Sequence, residues 1–332
     1  MTKLKRPLNG EIVSLLTEAQ LEFIKSDRSA LNAEDFDYLN LKRSGDADLS
    51  LSGGVNFEWE ANKQGNIQIS ESSTFKTYYS CDGNGECSVY NLKCDTSYFW
   101  RVVCADEISD TFCFHTSKQC PRFIKIDGLT NVRDCGGWQT YSGSRIRQGL
   151  LYRGCEMNSH LNILPSGLLA MRDVLKIKSI LDLRRDSEIV EDVYGGNYLN
   201  VPAWAYREWF EHPDSAKKIF GFLSDESNYP VYFHCWGGAD RTGTLAFLLG
   251  ALLGMNYDDL IDDYETTSLS VWGTRTRNSE KSFAAFWKHF NTFEGTTPAE
   301  KAKNYFLTCG VSNEMIEEFK KIMLEGKDRE CV

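Results

Sequence analysis

The apolar positions change their period twice along this chain. Leu15, Leu16, Ala19, Phe23 and Ile24 fall near one face of a helix, so residues 15–26 read as a single amphipathic helix. From Val55 to Thr116 the period shortens to two, in runs at 55–59, 66–70, 75–79, 97–103 and 111–115 broken by Gly, Asn and Asp. That alternation predicts short antiparallel strands packed as a β-sandwich. Near Gln119-Cys120-Pro121 strands and helices begin to alternate. Residues 149–153 predict a short strand, 165–175 a helix, 177–184 a mostly buried strand and 231–234 another strand. The stretch 244–255 is apolar on all faces and predicts a central buried helix, and 313–324 a last amphipathic one. The expectation is an α/β domain over 119–332, preceded by a β-domain with a leading helix over 1–118.

A length of 332 residues suits two domains, each able to bury its own core. The net charge of −10 argues against nucleic acid or an anionic membrane as partner. No run of about 18 apolar residues occurs, so no membrane span is expected. Basic residues near the N-terminus are not followed by the apolar segment of a signal peptide, which points to a cytoplasmic protein. Six of the eleven cysteines lie between Cys81 and Cys120. The odd total, the missing leader and the absence of any Cys-x-x-Cys pair favour reduced, packed thiols over disulfides or zinc. Neither a metal nor an organic cofactor is expected.

Candidate chemistry concentrates at Val231-Tyr-Phe-His-Cys235-Trp-Gly-Gly-Ala-Asp240-Arg-Thr-Gly-Thr244, an apolar strand, a glycine-rich turn and a helix start. A short turn of this kind directs successive backbone N–H groups of residues 236–241 into one concavity that favours a tetrahedral anion. Cys235 would sit at its base, where amide dipoles, the helix N-terminus and Arg241 favour thiolate over thiol. Gly237 and Gly238 let the backbone approach the anion. Arg241 can grip two phosphoryl oxygens bidentately, and Thr242 is close enough in sequence to hydrogen-bond the sulfur. Of the eleven cysteines only Cys235 has Arg six positions later. The bland alternative is an inert buried thiol on a strand-to-helix turn.

The string His234-Cys-x-x-Gly-x-Asp-Arg-Thr-Gly243 resembles the signature of the protein tyrosine phosphatase superfamily. The Asp before the Arg is similar to a bacterial branch in which that aspartate is thought to be the general acid. Asn131-Val-Arg-Asp-Cys-Gly-Gly137 resembles the entry motif of the same branch, and Leu151-Tyr-Arg-Gly154 and Leu181-Asp-Leu-Arg184 follow in the expected order. The likeness covers roughly 122–325 and implies a cysteine-phosphatase fold, a central mixed or parallel sheet flanked by helices. The run Tyr98-Phe-Trp-Arg-Val102 resembles a late strand of fibronectin type III-like domains.

The resemblance implies phosphate monoester hydrolysis through a phospho-cysteine on Cys235, with loop amides and Arg241 holding the phosphoryl group. The proton donor is Asp240, or else Glu208, Glu211 or Asp214 in the segment before the catalytic strand. Asp240 could also be a structural carboxylate paired with a neighbouring Arg. His234 reads as support for the loop. Arg133, Asp134, Arg153, Asp182 and Arg184 read as a buried charge network beneath it. Trp204, Tyr206, Trp209, Trp236 and Trp272 are candidates for an aromatic rim, with Arg207, Arg275 or Arg277 at the mouth. Asp258, Asp259, Asp262 and Asp263 read as a solvated helix face. Ala239 stands where phosphoinositide-directed relatives carry Lys, which favours phosphotyrosine or a small aryl phosphate over a phosphoinositide or a dual-specificity substrate. A sulfurtransferase and a non-catalytic phosphate-binding module are the rival classes.

Overall fold

The computed structural model describes residues 2–29, 48–61, 64–105, 107–188 and 193–326. The chain forms two compact units, Met1–Thr17 with Ser52–Phe123, and Glu18–Leu51 with Ile124–Val332.

The first unit holds strands β1 (Lys3–Arg6), β2 (Glu11–Val13), β3 (Val55–Glu60), β4 (Gly65–Ser70), β5 (Tyr79–Gly83), β6 (Glu86–Val89), β7 (Ser97–Cys104), β8 (Glu107–Ile108), β9 (Phe112–Thr116) and β10 (Arg122–Phe123). One sheet runs β1-β3-β6 and another β2-β9-β7-β4-β5, with β8 paired to β7. Strict alternation along β3 turns Val55, Phe57 and Trp59 inward. They join Ile67, Ile69, Tyr98, Trp100, Val102 and Phe114 from the other sheet in one apolar cluster. Phe57 sits edge-on to Trp100, with ring centroids 5.1 Å apart.

Two expectations need correction here. The run at 75–79 is not a strand. Phe75 takes a positive φ of 49° after a turn closed by its N–H on the Ser72 carbonyl, and the strand begins only at Tyr79. The Arg101 guanidinium lies over the Phe75 ring, 4.1 Å from its centroid, so this aromatic is fixed by a side-chain contact and not by the ladder. Cys81 and Cys87 are disulfide-bonded, contrary to the expected set of reduced thiols. They occupy β5 and β6, consecutive in sequence and each at the edge of a different sheet, so the bridge links the two sheets across the short turn between these strands.

In the second unit strands β11 (Arg133–Asp134), β12 (Leu151–Gly154), β13 (Ser179–Asp182), β14 (Asn197–Asn200) and β15 (Val231–His234) lie in the order β11-β12-β15-β13-β14. β15 is central and parallel to both neighbours, with Gly154 and Asp182 each opposite His234. β12, β13 and β15 are buried along their whole length, as expected of parallel strands covered on both faces. The helices are α1 (Glu18–Lys25), α2 (Pro165–Leu169), which continues as a π-helical turn to Val174, α3 (Pro213–Leu223), α4 (Arg241–Leu253), α5 (Tyr257–Glu265), α6 (Phe283–Phe290), α7 (Pro298–Thr308) and α8 (Asn313–Met323). Helix α4 is buried on nearly every side and ends at Gly254, whose φ of 91° terminates it in the left-handed conformation. Among the described residues no helix is long and apolar enough to cross a membrane.

Helix α1 packs within this second unit and not with the strands that flank it in sequence. Phe23 is fully buried, Gln20 donates to the carbonyls of Leu49 and Leu51, and Arg28 reaches Asp262 and Glu265.

Candidate active site

The all-buried strand β15 delivers Cys235 to the sheet's C-terminal edge, where the chain turns through residues 235–240 and enters α4 at Arg241. Three consecutive carbonyls of that turn are held by donors behind it. Trp236 O accepts from Glu156 N at 2.8 Å, Gly237 O from Asn131 Nδ2 at 2.9 Å, and Gly238 O from Arg153 Nη2 at 2.9 Å. With the carbonyls fixed outward, the intervening N–H groups face the other way. Among the described residues none of the N–H groups of 236–240 donates to a protein acceptor. That is a preformed anion nest at a helix N-terminus.

The two loop glycines are required by space. A Cβ on Gly237 would stand 2.9 Å from the Trp272 ring. Gly238 has φ +64°, and a Cβ there would stand 2.3 Å from the Gly154 carbonyl atoms.

Cys235 is buried, at 2 % exposure, six residues before Arg241. Burial works against the Arg241 charge, but Cys235 and Glu188 beside it outweigh that and raise its pKa above the ordinary value. Glu188, in the turn after β13, accepts from Arg241 Nη1 at 2.5 Å. Thr242 Oγ1 is buried and finds no hydrogen-bond partner among the described residues. The loop thus combines a buried thiol, a string of free amides and a guanidinium, a set able to hold a tetrahedral dianion over the sulfur.

Asp240 does not stand alone in the nest. Arg275 grips it through Nε to Oδ1 at 2.7 Å and Nη2 to Oδ2 at 3.0 Å, and the Tyr206 hydroxyl donates to Oδ1. Burial alone would raise its pKa, but Arg275 and Tyr206 reverse this and hold it below the ordinary carboxylate value. In the free protein Asp240 is therefore a carboxylate. Tyr206 also meets the Tyr264 hydroxyl at 3.0 Å.

The supporting charges form separate groups. Asp263 on α5 accepts from Arg133 Nε at 3.1 Å and Arg153 Nη1 at 2.5 Å. Burial tends to raise the Asp263 pKa, but Arg153 and Arg133 bring it below the ordinary value. Asp263 is thus no part of a solvated face, since it neutralises two buried arginines, one of which holds the loop. Asp262 likewise pairs with Arg28. Asp182 binds the Arg184 guanidinium, at 2.8 Å from Nη2, and the Tyr198 hydroxyl at 2.7 Å. Asp134 accepts from the backbone N–H groups of Gly136 and Gly149, both at 2.7 Å. His234 is fully buried, its Nδ1 3.0 Å from Cys235 O and 3.9 Å from Asp182, and its Nε2 has no partner among the described residues. Burial holds its pKa below 6.5 despite Asp182.

Other sequence candidates lie elsewhere. Glu208, Glu211, Asp214 and Arg207 are exposed. Trp209 is core, Trp204 stacks on His212 at 3.4 Å, and Arg277 is committed to Glu265 at 2.9 Å. Trp236 is the loop's exposed aromatic, at 39 %. Glu156, Glu188 and His160 were not singled out by sequence, and Asp263 was read only as part of a solvated helix face. Only for Asp263 was there a signal, because two arginines on buried strands demand a carboxylate.

A buried strand, a loop of free amides with a thiol at its base and a helix behind it define a candidate anion-binding cysteine site on an α/β sheet. The family model "Tyrosine phosphatase family" matches residues 124–325, and the chain belongs to that family. It is similar to a Cupriavidus necator protein provisionally named a tyrosine-protein phosphatase, 25% identical over 171 residues, 42% of this chain and 61% of that one. A tyrosine-protein phosphatase of Nostoc commune is 29% identical over 79 residues, 24% of this chain and 27% of its own. The chain therefore spans less than two thirds of the length of either curated relative. Among solved structures the core catalytic domain of a PP-IP phosphatase from S. cerevisiae, in complex with citrate, gives a TM-score of 0.31 at 18% identity over 39% of this chain and 78% of that one.

Proposed function

We propose that this protein hydrolyses phosphate monoesters, phosphotyrosine in proteins or small aryl phosphates before others, through a phospho-cysteine. The observation that carries the reading is the pinning of the Trp236, Gly237 and Gly238 carbonyls behind the loop, which leaves its amides free above Cys235 and beside Arg241.

In the first step the Cys235 sulfur attacks phosphorus, an S–P bond forms, and the P–O bond to the leaving group breaks. The departing oxygen takes a proton from Asp240. In the second step water attacks phosphorus, gives its proton to Asp240, and the S–P bond breaks to return the thiolate and free phosphate. Loop amides and Arg241 hold the equatorial oxygens throughout. Asp240 must first take up a proton. The incoming phosphate dianion favours that protonation, since a like charge nearby raises a carboxyl pKa, while Arg275 opposes it. No step needs a metal or organic cofactor.

Hydrolysis of para-nitrophenyl phosphate in EDTA is the test. Cys235→Ser should abolish turnover, and Asp240→Asn should lower kcat by about 10²–10⁴-fold. A Cys235→Ser protein that keeps its rate would remove the phospho-cysteine route and leave a binding module.

A further inference from the structure

Trp236 follows the nucleophile directly, yet its indole is 39 % exposed while Cys235, Gly237, Gly238 and Ala239 are buried. Its ring also has an aromatic partner outside the loop: the exposed imidazole of His160 stands edge-on to it, at 3.9 Å between centroids and an interplanar angle of 87°. One residue, Glu156, sets both. Its backbone N–H holds the Trp236 carbonyl at 2.8 Å. Its fully buried carboxylate accepts from the N–H groups of Asn158 at 2.6 Å, His160 at 2.6 Å and Leu161 at 3.1 Å, which shapes the turn that carries His160. With the buried Arg184 Nη1 3.8 Å away as counter-charge, this carboxylate fixes the turn through three charge-assisted hydrogen bonds and so keeps His160 in position.

We propose that Trp236 and His160 form the specificity element of the site, an aromatic corner that receives the ring of an aryl phosphate, with Glu156 as the positioning residue that holds the corner against the nest. The assignment rests on the phosphatase reading above. An indole held edge-on by a second ring offers its remaining face to a third, and aromatic contacts of this kind favour offset or edge geometries over simple apolar burial. An alkyl phosphate fills the same nest and gains nothing at the corner. Discrimination therefore resides in the group attached to phosphorus and not in the phosphate itself.

Non-hydrolysable anions separate ring recognition from leaving-group chemistry. Binding of phenylphosphonate, methylphosphonate and inorganic phosphate is measured by titration calorimetry on the full chain, beside turnover of para-nitrophenyl phosphate. The phenyl-to-methyl affinity ratio is compared within each protein, so that any general change in the nest cancels. The unaltered protein should prefer phenylphosphonate by about tenfold. Trp236→Ala should bring the ratio close to one, and His160→Ala should give a value between. Glu156→Gln should lower the ratio and raise KM for the aryl ester more than it lowers kcat. A ratio near one in the unaltered protein, or a ratio that survives both ring substitutions, overturns the proposal. Ring preference without turnover instead overturns the phosphatase reading and keeps the corner, turnover without ring preference does the reverse, and a protein that neither binds nor turns over refutes both.

Discussion

At the scale of single residues, the site depends on groups whose protonation is set by burial and by their immediate neighbours. His234 shows the consequence for pH. Its imidazole is buried with a pKa below 6.5, so the folded state resists a proton that the unfolded chain accepts near pH 6.5. The stability this group contributes is complete above about pH 6.5 and is lost as pH falls from there through the folded value. Urea midpoints of the catalytic unit should decline between pH 7 and 5.5, and His234→Asn should flatten that slope. An unchanged slope in the variant would show that the proton goes elsewhere. Asp240 illustrates how far a residue can be read in isolation. The motif left it as a proton donor or as a structural carboxylate paired with an arginine, and the contact with Arg275 shows the pairing and holds its pKa below the ordinary carboxylate value.

At the scale of elements, β11, β12 and α5 are joined by one carboxylate. Asp263 accepts from both Arg133 and Arg153, and Arg153 in turn holds the Gly238 carbonyl. Asp263→Asn would leave two buried guanidinium groups short of a counter-charge, a loss of roughly 3–5 kcal/mol. Chemical denaturation should register that loss, and phosphate affinity should fall with it because the loop carbonyl loses its fixed donor. A stability within about 0.5 kcal/mol of the unaltered protein would mean that the arginines find other partners. The strand, loop and helix over 231–253 were legible because an unbroken apolar run, paired glycines and an all-apolar helix have few other solutions. The acidic face of α5 was misread because Asp258 and Asp263 look alike in sequence. Only the packing of α5 against two arginine-bearing strands makes one of them a counter-ion.

At the scale of the molecule, the chain crosses between its two units more than once. Residues 18–51 separate β2 from β3 in sequence yet belong to the second unit. Near the end of this segment the Ser50 hydroxyl accepts from Asn131 N at 2.9 Å and lies 3.1 Å from the Thr130 hydroxyl, while Asn131 holds the Gly237 carbonyl. Ser50 thus supports the nest from a segment far from it in sequence. Ser50→Ala should cost about 1–3 kcal/mol, because the buried Asn131 N–H loses its acceptor, and should weaken phosphate binding through the loop. Thermal unfolding together with phosphate titration measures both, and affinity unchanged alongside a lowered midpoint would confine Ser50 to stability.

Periodicity, glycine placement and the spacing of Cys235 to Arg241 are local properties. They suffice to mark an α/β unit with a strand-to-helix loop suited to an anion, because each is imposed on the chain within a few residues. The partners of that loop come from afar. Glu156, Asn131, Arg153, Asp263 and Ser50 are gathered by sheet order and helix packing, and no local pattern distinguishes a carboxylate that will meet water from one that will meet a buried arginine. The pairing of Cys81 with Cys87, the turn at Phe75 and the meeting of His160 with Trp236 were likewise decided in three dimensions, where strand register and close packing choose among contacts that sequence leaves equivalent.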